Sequence, residues 1–97
     1  MKTLEDIRAE LRRLGPVLGR DYPVRVVGVF GSYARGEQTD TSDLDILVDC
    51  DAPVGFLTLA GLQQDLSDAL GIKVDVMIRQ QPPSPVGRRI AAELVPL

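Results

Sequence analysis

The sequence predicts an α/β fold: a small mixed β-sheet flanked by helices. Two observations carry that prediction. Apolar residues recur at three- and four-residue intervals near both ends and in the middle of the chain, which is helical spacing. Between those stretches lie short β-branched runs, Val24 to Phe30, Asp43 to Val48 and Lys73 to Ile78, the last two alternating polar and apolar. The expected element order is α, β, short α, β, α, β, α. Ninety-seven residues make one domain, 1–97, with a modest core.

Thr3 is a suitable N-cap, and Glu5 and Asp6 favour the first turn of a helix. Leu4, Ile7, Leu11 and Leu14 form its apolar stripe, backed by Arg8, Glu10, Arg12 and Arg13. Gly15-Pro16 is expected to end or kink it. Leu18 continues the stripe, so a second short piece should run to about Asp21. Tyr22-Pro23 leads into the first strand, Val24 to Phe30.

Gly31 and Ser32 follow that strand directly. Glycine permits a sharp turn and close approach of a ligand to the backbone. Ser32 offers a hydroxyl, and the amides there can form an anion-binding concavity. Ser32 to Gly36 predicts one helical turn with Tyr33 packing inward, and Glu37 to Ser42 a loop.

Along a strand, residues i and i+2 share a face. Asp43 and Asp45 therefore point one way, and Leu44, Ile46 and Val48 the other, into a core. Two carboxylates held side by side repel, and one has its pKa raised unless a cation sits there. Hard oxygen ligands suit Mg²⁺, which takes one or two carboxylates plus substrate phosphates. A phosphate-binding turn beside a metal-binding strand suggests nucleoside triphosphate chemistry.

Blander explanations fit less well. Five aspartates lie from Asp40 to Asp51, and an acidic run is usually a solvated face; Asp43 and Asp45, however, interrupt an apolar strand pattern. A calcium EF-hand needs an oxygen ligand and then glycine after those aspartates, where this chain has Leu47 and Val48. A bare turn explains Gly31 but not its spacing to the aspartates.

Pro53 breaks the chain after the second strand. Gly55 to Leu70 reads as a helix with Phe56, Leu59, Ala60, Leu66 and Leu70 at helical spacing, Asp65 and Asp68 facing out and Gly71 as its C-terminal cap. In the third strand Val74, Val76 and Ile78 share one face, and Lys73, Asp75 and Met77 the other. Gln80 to Pro85 reads as a proline-rich linker. Val86, Ile90, Leu94 and Leu97 then space out a short terminal helix, with Arg88 and Arg89 on its other side.

Composition removes whole classes of chemistry. There is no histidine, so Ser-His-Asp and Cys-His catalysis and histidine zinc sites are excluded. The lone cysteine, Cys50, can make neither an internal disulfide nor a thiolate zinc site; it reads as a packing residue and fits the cytoplasm. A net charge of −3 argues against direct nucleic-acid binding by charge alone. No stretch approaches the ~20 apolar residues of a membrane span, and the N-terminus does not resemble a signal peptide.

Gly31-Ser32, ten intervening residues and Asp43-Leu44-Asp45 resemble the signature of the DNA polymerase β-like nucleotidyltransferase superfamily. The fuller string GSYARGEQTDTSDLDILVD is similar to the minimal nucleotidyltransferases (MNT), antitoxin partners of HEPN-domain toxins, and the resemblance covers most of the chain. It implies a stripped-down nucleotidyltransferase fold in which Asp43 and Asp45 hold two Mg²⁺ and Gly31 and Ser32 hold the β- and γ-phosphates of ATP. Members carry a third carboxylate on the neighbouring strand. Asp75 matches that position in order and context, and would complete a metal site or draw a proton from the acceptor; otherwise it is an edge-strand charge that discourages aggregation. Arg35 reads either as a triphosphate contact or as a salt bridge to one of the aspartates. Ser42 either bonds substrate or caps its turn. The implied activity is transfer of AMP to a tyrosine of a HEPN ribonuclease toxin, in a hetero-oligomer with that toxin. Two other readings stay open: a non-catalytic antitoxin that blocks by contact, and an enzyme acting on a small molecule or an RNA end.

Overall fold

The computed structural model describes residues 2–79 and 84–97. Its first helix, α1 (Leu4–Asp21), opens on a capping box. The Asp6 amide donates to Thr3 Oγ1 at 3.2 Å, and the Thr3 amide donates back to the Asp6 carboxylate at 3.0 Å. The expected break at Gly15-Pro16 does not occur. Ile7, Leu11 and Leu18 are all buried, so packing on both sides of the solvent-facing Pro16 holds one continuous helix.

β1 (Val24–Phe30) and a single turn α2 (Ser32–Arg35) follow as expected; β2 (Leu44–Cys50) begins one residue later than the alternation predicts, leaving Asp43 in the preceding loop. α3 (Phe56–Leu70) then crosses to β3 (Val74–Ile78), and α4 (Pro85–Glu93) leads to a two-residue strand, β4 (Val95–Pro96). Residues 80–83, most of the expected linker, lie outside the described residues; Ser84 and Pro85 instead open α4, with the Ser84 hydroxyl accepting from the Gly87 amide at 3.0 Å.

The four strands form one mixed sheet in the order β3-β2-β1-β4. β2 and β3 are parallel, as a helical crossover allows, and β1 is antiparallel to both β2 and β4. β4 replaces the expected end of the terminal helix. At Gly28 the Val95 carbonyl lies where any side chain would begin, so glycine lets β4 reach β1. The Leu97 amide then donates to the Val27 carbonyl at 3.2 Å.

α1 and α3 cover one face. Their Ile7, Leu11, Leu62, Leu66 and Leu70 pack with Leu44, Ile46, Val48 and Val74 into the core, joined by Tyr33 from α2. Cys50 packs at its margin. The α3 stripe differs from expectation. Burial fades toward the helix N-terminus, from Leu62 through half-buried Leu59 to Phe56, which is 82% exposed, and Ala60 faces solvent. The opposite face carries Asp45, Leu47, Asp75 and Met77, and α4 lies over it with Ile90 buried.

Candidate active site

β1 ends at Phe30, and the chain turns at Gly31 with φ 76° and ψ −151°. That conformation is close to glycine-only. The turn is held from within: the Arg35 amide donates to the Gly31 carbonyl at 3.1 Å, and the Glu37 amide to the Ser32 carbonyl at 2.9 Å. Tyr33 anchors it in the core, which leaves Ser32 at the surface side of the turn.

Asp45 of β2 lies in register between Phe30 of β1 and Asp75 of β3. In parallel strands paired at those positions the two side chains project from the same face. The carboxylate of Asp45 also packs against Gly31, filling the place where a side chain would stand. Asp43 precedes the strand, and Lys73 Nζ approaches its Oδ2 at 3.8 Å.

These elements enclose an open cleft of about 590 Å³. Gly31, Ser32, Arg35, Ser42, Asp43, Asp45 and Asp75, the residues singled out in the sequence, all border it. Burial, then the neighbouring charges of Asp75 and Asp43, push the Asp45 carboxyl above its ordinary range, while Arg35 pulls the other way.

The donor set fits Mg²⁺. It offers hard carboxylate oxygens with no histidine or thiolate in the cleft, and one carboxyl is unsettled by burial and then by its like-charged neighbours. Among the described residues no three acidic side chains are grouped tightly enough to cage an ion by themselves. Mg²⁺ does not need such a cage, because it keeps waters and takes phosphate oxygens from its substrate.

Two of the flanking residues carried alternative expectations. The Arg35 guanidinium pairs with neither strand aspartate: its Nη1 donates to Glu93 at 2.8 Å, and its Nε lies 3.4 Å from Glu37. Ser42 accepts a hydrogen bond from the Thr39 amide at 2.8 Å, so it caps its loop while bordering the cleft. The other strand aspartate, Asp49, is drawn off to Arg79 at 3.5 Å and Arg25 at 3.8 Å.

The sequence reading missed the contribution of α4. Arg89 and Glu93 both border the cleft. The spacing predicts Arg89 across the helix from the Val86–Ile90 stripe. It instead borders that stripe, being three residues beyond Val86 and next to Ile90. The available signal was the Arg89–Glu93 spacing of four, which stacks two charges on one helix side.

A family model described as a nucleotidyltransferase domain matches residues 4–97. A Methanocaldococcus jannaschii relative, provisionally named a protein adenylyltransferase, is 44% identical over 96 residues, covering 98% of both chains. The protein adenylyltransferase MntA of Thermococcus cleftensis is 37% identical over 95 residues, covering 98% of this chain and 96% of its own. A solved structure provisionally described as a minimal nucleotidyltransferase superposes with a TM-score of 0.78 at 32% identity, covering 99% of this chain and 97% of the other. A toxin–antitoxin structure with AMP-PNP gives 0.69 at 25% identity, over 89% of this chain and 67% of the other. The fold also matches, with a TM-score of 0.58 at 23% identity, a chain of the tri-AMPylated Shewanella oneidensis HEPN toxin in complex with its MNT antitoxin, over 82% of this chain and 60% of that one. With its family model extending from the first helix to the last strand, the chain belongs to the nucleotidyltransferase domain family.

Proposed function

We propose that this chain, acting as one nucleotidyltransferase domain, transfers AMP from ATP to a tyrosine hydroxyl of a partner HEPN toxin and so neutralises it. One observation carries the chemistry: Asp43, Asp45 and Asp75 border the same cleft as the Gly31-Ser32 turn, with Asp45 and Asp75 in direct register. The choice of a protein acceptor is supported by relatives named for protein adenylylation, and the choice of toxin by the HEPN–MNT complex that shares the fold.

In this reading the Gly31-Ser32 turn holds the β- and γ-phosphates, and Ser42 lines the approach. Arg35 reaches the phosphates only by releasing Glu93. The acceptor oxygen attacks the α-phosphorus, a new O–P bond forms, and the bond to the bridging oxygen breaks. Pyrophosphate departs with that electron pair, and Asp75 takes the acceptor proton. Two Mg²⁺ held by Asp43, Asp45 and Asp75 would supply neutralisation of charge on the attacking, bridging and leaving oxygens. The reaction belongs to the cytoplasm, where ATP is at hand; among the described residues no helix is long and apolar enough to cross a membrane.

The test is to incubate the protein with ATP, Mg²⁺ and a candidate HEPN toxin from the same organism, and to weigh the latter intact. Addition of one or more AMP units, lost with Tyr→Phe in the acceptor, is the expected result. Inhibition of the toxin without any mass gain would establish blocking by contact instead.

A further inference from the structure

We infer that Arg89 of α4, rather than Arg35, is the resident cation that binds the terminal phosphates of the nucleotide. The inference rests on the nucleotidyl-transfer reading and assigns a residue which that reading leaves unused. Arg35 and Arg89 are the two basic side chains bordering the cleft, against the carboxylates of Asp43, Asp45, Asp75 and Glu93. An anionic tail entering there needs a guanidinium that is not already spent. Arg35 is spent: Glu93 accepts from its Nη1 at 2.8 Å, and Glu37 lies 3.4 Å from its Nε. To bind phosphate it must break a charge-assisted pair and leave Glu93 facing the same anion.

Arg89 carries no such cost. Among the described residues it makes no hydrogen bond or ion pair, and it is exposed on the cleft side of α4. A guanidinium offers paired donors that match phosphate oxygens. Glu93, one turn further along, has a separate part. By holding Arg35 it ties α2 to α4, which fixes the wall from which Arg89 projects.

This division makes Arg89 a binding residue selective for the phosphate tail. Arg89→Ala should weaken ATP binding roughly tenfold or more, the weight of one charge-assisted hydrogen bond, and leave AMP binding unchanged, because AMP lacks the β- and γ-phosphates. Arg89→Lys should recover part of the loss. Arg35→Ala should change the ratio of ATP to AMP affinity less than Arg89→Ala does. Calorimetry in Mg²⁺ reads all of these, with Arg12→Ala, on the exposed back of α1, as the control for a lost charge. Equal ATP affinity in wild type and Arg89→Ala would overturn the assignment while leaving nucleotidyl transfer intact. A larger ratio change in Arg35→Ala would hand the role to Arg35. A wild-type protein that binds no ATP would overturn the transfer reading as well.

Discussion

Gly31 and Asp45 share one space: the Asp45 carboxylate occupies the position a side chain on Gly31 would take. The turn and the strand are thus fitted to each other, and the glycine serves the carboxylate as much as it serves the turn.

Gly31→Ala should therefore cost stability and activity through separable causes. Backbone strain at φ 76° is worth ~1–3 kcal/mol. The new methyl group displaces the Asp45 carboxylate, and a misplaced catalytic group costs roughly 100-fold in rate. Denaturant melts of Gly31→Ala and Gly31→Ala/Asp45→Ala separate the two. The strain should persist in both, and the steric part should vanish in the double variant. A Gly31→Ala protein with wild-type transfer would show that the Asp45 position is immaterial.

Asp43→Asn with Asp45→Asn should abolish Mg²⁺-dependent ATP binding and keep the fold, since both side chains border the cleft rather than the core. Calorimetry with and without Mg²⁺ checks it. Binding that remains metal-dependent would exclude these two as ligands.

The raised Asp45 pKa has a definite sign in stability. A carboxyl raised on folding binds more protons in the folded state than in the unfolded one, so its charged form penalises the fold. The penalty is fully present above the folded value, and is relieved as pH falls through that value toward the ordinary 3.8. Asp6 has the opposite sign, being held low by its bonds to Thr3. A comparison with Asp45→Asn isolates the term. Without metal, the melting temperature of the variant should exceed wild type at neutral pH, and the gap should close on acidification. A constant gap would mean that Asp45 ionises as an ordinary carboxyl.

Asp75→Asn should leave ATP binding largely intact, because Asp43, Asp45 and the Gly31-Ser32 turn remain. Transfer should fall by ~10²–10⁴ from loss of the general base alone. Single-turnover kinetics at saturating ATP read the chemical step. Full activity would return Asp75 to the role of an edge charge.

Far from the cleft, Tyr22 donates its hydroxyl hydrogen bond to Asp65, joining the end of α1 to α3. That bond, then burial and the Asp65 charge, push the Tyr22 pKa up to about 12. Its stabilisation is present below the ordinary value of 10 and is lost as pH rises toward about 12. Tyr22→Phe should cost about 0.5–1.5 kcal/mol at pH 7 in urea unfolding. The difference from wild type should shrink above pH 10. Identical curves at pH 7 would mean that the contact carries no net energy.

The facing of Asp45 and Asp75 was legible because strand alternation is a local rule: Val74, Val76 and Ile78 must face the core, which turns Asp75 toward Asp45 once the strands are neighbours; Asp43, just before β2, lies outside that alternation. The capping of α1 was legible for the same reason, Thr3 and Asp6 lying within one turn. What the local pattern does not show depends on contacts distant in sequence. Pro16 is carried inside α1 because Leu18 still finds the core. Phe56 fits the stripe by spacing yet has nothing above it. Arg89 and Glu93 border the cleft only because α4 folds back over the Asp45 face of the sheet, nearest β1, and β4 exists because Gly28 leaves room for Val95. None of these follows from a window of ten residues.

The parallel register of Asp45 with Asp75 also makes the two neighbours of Asp45 depend on connections of different length. β1 and β2 meet across a short connection, so Gly31 and Asp45 come together at small loop-closure cost. Asp75 reaches Asp45 only through the longer connection in which α3 carries β3 across to lie beside β2. The third carboxylate is thereby tied to the α3 crossover. A substitution that loosens the β2–β3 pairing would therefore part Asp75 from Asp45 while leaving Asp45 against Gly31.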